Sequence, residues 1–254
     1  MNTSAMVFCQ LFEPVSSTYT YLLGCAETRQ AVLVDPVMPA WQRDLQAVKE
    51  HGLRLLMTID THIHANHITS ASLLKREVGS RIAVPALDAL PCTDLGIEDG
   101  VPLQVGGLRL EPMHTPGHTD HHFAIGAGDR VFTGDALLID GCGRTDFQSG
   151  DASALYDSVR GRLFKLPGET LVYPAHDYQG RRVSSIAQEK ERNPRLGGDR
   201  TRESFIELMN DLDLPYPRFI DYAVPGNRAC GVRPADLPEA LRDYCPQMAE
   251  SPHG

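Results

Sequence analysis

An apolar strand that runs straight into Thr61-His62-Ile63-His64-Ala65-Asn66-His67 leaves few folds open to a chain. Leu53 to Ile59 reads as that strand. After the histidines, Ile68, Leu74 and Val78 fall near helical spacing and Gly79 sits where a helix would stop. Three of the ten histidines thus share one strand-to-helix loop, where their side chains can converge. Three packed imidazoles would repel one another if all were protonated, and neutral imidazole is the commonest protein metal ligand. A metal site is therefore expected. A solvated polar loop is the alternative, and a single histidine would have favoured it.

A metal needs donors from elsewhere, and three more strand ends supply them. Leu108 to Met113 alternates and ends in His114-Thr115-Pro116-Gly117-His118. Val131-Phe132-Thr133-Gly134 ends in Asp135, and Leu171 to Pro174 ends in Ala175-His176-Asp177. Histidine or aspartate at four strand ends is what a site built along the edge of a sheet requires.

The rest of the chain reads as mixed α/β. Tyr19–Leu23 and Ala31–Val34 are antiparallel strands around a turn at Ala26-Glu27-Thr28. Trp41, Leu45 and Val48 mark an amphipathic helix ended by Gly52. Arg81–Pro85 is a strand, and Pro91–Gly100 a turn-rich connection. Closely spaced strands follow at Val101–Val105, Leu108–Met113, His122–Ile125 and Arg130–Phe132. Asp151 caps a helix carrying Leu155, Val159 and Leu163, and Ser185-Ile186-Ala187-Gln188 opens another as a capping box. Phe205, Leu208, Met209 and Leu212 mark a last clear helix. One domain over 1–232 and a proline-rich C-terminal extension over 233–254 are expected.

Composition narrows the function. The formal charge is −9 without a dense Lys/Arg run, which argues against nucleic-acid binding. No apolar run approaches the roughly 20 residues that span a bilayer. The first ten residues carry neither a basic region nor a signal-like apolar stretch. The six cysteines, Cys9, Cys25, Cys92, Cys142, Cys230 and Cys245, are scattered. A reduced, cytoplasmic protein is expected.

The histidine loop, the Pro-Gly-His, the Thr-Gly-Asp and the Pro-Ala-His together resemble the metallo-β-lactamase superfamily. Gly141-Cys142-Gly143-Arg144-Thr145-Asp146-Phe147-Gln148 resembles a narrower branch, the persulfide dioxygenases related to glyoxalase II. So do Phe12-Glu13-Pro14-Val15-Ser16, Tyr173 to Tyr178, Asn193-Pro194-Arg195-Leu196 and Ala223-Val224-Pro225-Gly226-Asn227. The likeness covers about residues 8 to 232. It implies an α/β four-layer αββα sandwich with the metal at one edge between the sheets.

The resemblance also implies a chemistry. Superfamily hydrolases carry H-x-H-x-D-H and hold two metals, but Asn66 stands where that Asp would be. A neutral amide is a weaker ligand, which disfavours a glyoxalase-II-like zinc thioester hydrolase. Persulfide dioxygenases use one Fe(II), and the ligands carried over are His62, His118 and Asp135, a 2-His-1-carboxylate triad with open positions. His64, His67 and His176 would then orient ligands or water. The implied reaction oxidises glutathione persulfide with O₂ and water to sulfite and glutathione. Arg144 and Tyr178 are the candidates for gripping the substrate; the alternatives are an Arg144 ion pair with Asp146 or Asp177, and a packed Tyr178. A homodimer is expected from the family. A fold kept for sensing or scaffolding is a third reading, opposed by an intact triad.

Overall fold

The computed structural model describes residues 5–231. Two six-stranded sheets face each other. The first has the order β1(Met6–Glu13), β2(Thr18–Cys25), β3(Gln30–Val34), β4(Arg54–Ile59), β5(Arg81–Pro85), β6(Leu95–Ile97). The second is built from β7(Leu103–Val105), β8(Leu108–His114), β9(Phe123–Ala127), β10(Arg130–Gly134), β11(Leu171–Pro174) and β12(Ser184–Ser185) in sequential neighbours. Tyr21, Leu23, Met57 and Ile59 from one sheet meet Leu110, Phe123, Ile125 and Phe132 from the other. Tyr21 and Phe132 bring their ring centroids to 4.7 Å. A fully buried aromatic of this size contributes about 1.5–3 kcal/mol, so this inter-sheet layer holds the halves together.

Helices cover both outer faces. On the first sheet, Leu45 and Val48 of α1(Trp41–Glu50) and Leu74 of α2(Ala71–Val78) pack on Leu22, Leu33 and Leu55. On the second, Leu155 and Val159 of α3(Ala152–Gly161), Ile186 of α4(Ile186–Arg192) and Phe205 and Met209 of α5(Arg202–Asn210) cover Ala124, Val131 and Val172. The expected αββα sandwich is what forms. The caps fall as anticipated: Asp151 accepts from the Ala154 amide, Ser185 from that of Gln188, and Gly79 closes α2 in the left-handed region.

Four elements were not legible. β1 is an edge strand with six half-buried residues in succession, so it has no period. β6 and β12 are only three and two residues long. A further helix, α6(Ile220–Arg228), carries Pro225 inside it, which sequence rules read as a break. The cysteine expectation also needs correction, because Cys92 and Cys230 form a disulfide that ties the end of α6 to the loop before β6. A separation of 138 residues leaves no local spacing to betray it. Cys9, Cys25 and Cys142 are free. The extension at 233–254, with Cys245 and His253, lies outside the described residues.

A candidate metal centre at the carboxyl ends of the strands

The site follows from strand direction. β3, β4 and β5 run parallel, as do β10 and β11, so the segments leaving their carboxyl ends gather along one edge. The edge is knitted across the sheets: the Phe123 amide donates to the Thr61 carbonyl at 2.9 Å and the Tyr19 amide to that of Ala175 at 2.8 Å.

His62, His118 and Asp135 come together here, with one donor atom from each within 4.8 Å of the others. His118 Nε2 is 3.3 Å and His62 Nε2 4.0 Å from Asp135 Oδ2. His118 Nδ1 donates to the Arg144 carbonyl at 2.7 Å, which makes Nε2 the atom presented to Asp135. Burial, then His64 and the other neighbouring histidines, holds His62 well below the ordinary imidazole range, so it is neutral. Burial would raise the Asp135 carboxyl, but His176 and His118 pull it below its usual value. Its Oδ1 is buried without a hydrogen-bond partner among the described residues. Two convergent imidazoles and a carboxylate with an unsatisfied oxygen suit a divalent transition metal.

The other three histidines divide. His176 stays beside the site: Nδ1 donates to the Ser17 carbonyl at 3.1 Å and Nε2 lies 3.5 Å from Asp135 Oδ1. His64 is turned away, with Nε2 3.1 Å from Asp35 Oδ1. Asp35 also receives the Thr61 amide and hydroxyl at 2.8 and 3.0 Å, and Asp60 accepts from Thr69 Oγ1. Asp35, Asp60 and His64 are close enough to hold an ion, but their polar atoms already brace the start of the histidine loop. His67 Nδ1 donates to Asn66 Oδ1 at 3.1 Å. The Asn66 amide donates to the Ser16 carbonyl and Thr18 Oγ1, both at 3.1 Å. The Ser16 carbonyl suits an –NH₂ group and would repel a carboxylate, so Asn66 belongs to a hydrogen-bonded cluster.

Three supports escaped the sequence reading. His122 is fully buried and accepts the Asp135 amide on Nε2 at 3.0 Å, while its Nδ1 donates to Thr115 Oγ1 at 2.8 Å. Asn227 on α6 donates to the His64 and His67 carbonyls and accepts the Thr69 amide, each at 2.8 Å. Gly143 lies against both Asp135 and His118. Asp177 caps the turn after β11 and pairs with Arg181, so it is the Ser17 carbonyl that fixes the His176 tautomer.

The centre opens on a cavity of about 750 Å³, room for a tripeptide-sized ligand. Arg144 lines it, with Nε and Nη2 each 2.6 Å from Asp146 and Nη1 donating to the Pro215 carbonyl. That is the ion pair held open as its alternative role. Tyr178 is 74% exposed on the rim, so it is no packed core residue.

Burial pulls the acid response of the fold in two directions. Burial and neighbouring charges depress His62, His67 and His122, the last to about 3. The unfolded chain protonates them near 6.5 and the folded chain does not, so their contribution is complete above that pH and falls below it, by about 1.4 kcal/mol per pH unit each. His64, raised against its burial by Asp35, and Asp60 and Asp44, raised by burial to about 7 and about 6, take up protons first in the folded chain and so add stability as the pH falls through those values. The two sets oppose each other three against three, so the melting temperature of metal-free protein should change little between pH 7.5 and 5.5; a steep fall would refute this.

Residues 14–176 match the family model described as the metallo-beta-lactamase superfamily. The chain is 49% identical over 227 residues to the human protein named "Persulfide dioxygenase ETHE1, mitochondrial", covering 88% of each. The crystal structure of ETHE1 from Myxococcus xanthus superposes with a TM-score of 0.87 at 53% identity, covering 89% of this chain and all of that one. A probable hydroxyacylglutathione hydrolase of Schizosaccharomyces pombe is 36% identical over 169 residues, 63% of this chain and 64% of that protein.

Proposed function

Because the chain belongs to the metallo-β-lactamase superfamily, and within it to the persulfide dioxygenases, we infer that it oxidises glutathione persulfide with O₂ and water to sulfite and glutathione. The observation that carries this reading is the division of the histidines. His62 and His118 turn their free Nε2 atoms toward Asp135, whereas His64 faces Asp35 and His67 faces Asn66. One metal has its three donors. Asn66, in the place of a second metal's carboxylate, is engaged by His67 Nδ1 and lies beside His176, while His67 Nε2 is left without a partner among the described residues.

His62, His118 and Asp135 would hold a single Fe(II). Bound there, the iron supplies the one-electron chemistry by which ground-state O₂ reacts with a sulfur anion. The protein's part is positioning. The Arg144 carbonyl fixes His118, His122 fixes the Asp135 backbone, and Asn227 pins the loop bearing His62. His176, its Nδ1 proton held by Ser17, presents an Nε2 that accepts a proton from water in the hydrolytic step. His64 and His67 keep the loop's shape. Arg144, clasped to Asp146 and Pro215, holds the cavity wall in contact with substrate, and Tyr178 meets the substrate at the rim.

Residues 1–232 act as one domain in this reading, and a homodimer is carried over from the family. Among the described residues no helix is long and apolar enough to cross a membrane. The cytoplasmic expectation rests on the scattered cysteines. The human relative is mitochondrial by name, and the Cys92–Cys230 bond is of a kind uncommon in reducing compartments.

Anaerobically purified protein should contain one iron per chain, consume O₂ on addition of glutathione persulfide, and release sulfite in equal amount. Two zinc ions with cleavage of S-lactoylglutathione, and indifference to O₂, would replace this reading with a thioester hydrolase.

A further inference from the structure

Four arginines line the cavity, and they are not equivalent. Arg144 is matched by Asp146, and Arg181 by Asp177 and Asp140. Arg195 and Arg218 have no carboxylate partner among the described residues. Arg195, on the segment after α4, uses Nη1 to donate to the Cys142 carbonyl at 3.0 Å. Arg218, just before α6, lies over the ring of Phe219 with its guanidinium carbon 4.8 Å from the centroid. The cavity therefore presents two unmatched guanidinium groups on separate segments of its wall. The whole chain carries −9, so these charges are local, and the carboxylates lining the cavity are taken up by the metal site or by Arg181.

We propose that Arg195 and Arg218 receive the two carboxylates of glutathione persulfide, and that this pair selects a tripeptide persulfide with two carboxylates over a small persulfide with none. The proposal rests on the persulfide dioxygenase reading above. A planar guanidinium forms two parallel hydrogen bonds to a carboxylate, and one whose nitrogens are not already committed to an acid keeps that capacity. The stacking of Arg218 on Phe219 holds the long side chain at the mouth and lowers the entropy lost when a ligand is gripped. Arg144 lacks this capacity, since Asp146 occupies its fork.

The test pairs binding with turnover in the iron-loaded protein. S-methylglutathione, which keeps both carboxylates and cannot be oxidised, is titrated calorimetrically into wild type, Arg195→Gln and Arg218→Gln. Its dissociation constant should rise about tenfold for Arg195→Gln, the loss of one charge-assisted pair. For exposed Arg218→Gln the rise should be about threefold, because water screens that site. In O₂ uptake, KM for glutathione persulfide should rise alike with kcat and iron content retained. kcat/KM for 2-mercaptoethanol persulfide, which has no carboxylate, should stay within twofold. Arg195→Lys, which keeps the charge and a donor for Cys142, should recover part of the affinity and guards against a merely structural loss. Unchanged binding of S-methylglutathione in both Gln variants overturns the proposal, as does an equal loss on both persulfides. Wild type that consumes no O₂ with either persulfide would instead overturn the functional reading, whatever the binding result.

Discussion

The His118→Ala variant should lose its iron and with it all O₂-dependent sulfite formation, while His176→Ala keeps most of its iron. Both histidines lie beside Asp135, and distance alone does not separate them: Nε2 of His118 is 3.3 Å and that of His176 3.5 Å from a carboxylate oxygen. The difference lies in which oxygen and which company. His118 shares Oδ2 with His62, so the three donors close on one point. His176 faces Oδ1, with the Asn66 amide nitrogen 3.3 Å from the same Nε2. Removing His118 leaves a pair of donors, one of them a lone imidazole; removing His176 leaves the triad whole. For His176→Ala, activity should fall about 10- to 100-fold, the range for groups that orient ligands without binding the metal. Metal analysis of both variants, purified anaerobically and checked for an unchanged circular dichroism spectrum, decides the matter. Equal iron loss in the two would mean that His176 is itself a ligand.

That division could not be read from the order of residues. The spacing of His62, His64 and His67 announces a site, and local periodicity locates the strands whose carboxyl ends carry His118, Asp135 and His176. Which way each imidazole turns depends on partners far along the chain. His64 is claimed by Asp35, 29 residues earlier, and His176 by the Ser17 carbonyl, 159 residues earlier. The same limit applies to His122, which the sequence leaves open between a structural and a solvated role and which is fully buried under Asp135. It explains Asn227 too: a helix interrupted by Pro225 carries the amide that pins the histidine loop, and no periodicity points to it. The core was more legible, since Tyr21, Phe132 and Leu155 are apolar at positions where period alone predicts burial.

Gly143→Ala should be as damaging as loss of a ligand, although the substitution adds a single methyl group. The Gly143 amide donates to the Asp135 carbonyl at 2.7 Å, drawing the two backbones together. A Cβ on that residue would stand 2.5 Å from the same carbonyl oxygen and 2.8 Å from His118 Nδ1. Neither neighbour can yield cheaply. The Asp135 backbone is tied to His122, and the His118 ring is held by its bond to the Arg144 carbonyl, the residue next to Gly143. The methyl therefore pushes two of the three donors apart, and a misplacement near 1 Å in a catalytic constellation costs about 100-fold. Gly141, two residues earlier in the same run, gives the contrast: a Cβ there meets nothing nearer than Leu138 Cβ at 3.9 Å, and its φ is not in the left-handed region. Gly141→Ala should keep iron, activity and melting temperature, while Gly143→Ala loses iron and activity and melts lower in its metal-free form, with its circular dichroism spectrum at room temperature unchanged. If the two alanine variants behaved alike, the close approach of Gly143 to the ligands would not be what that glycine is there for.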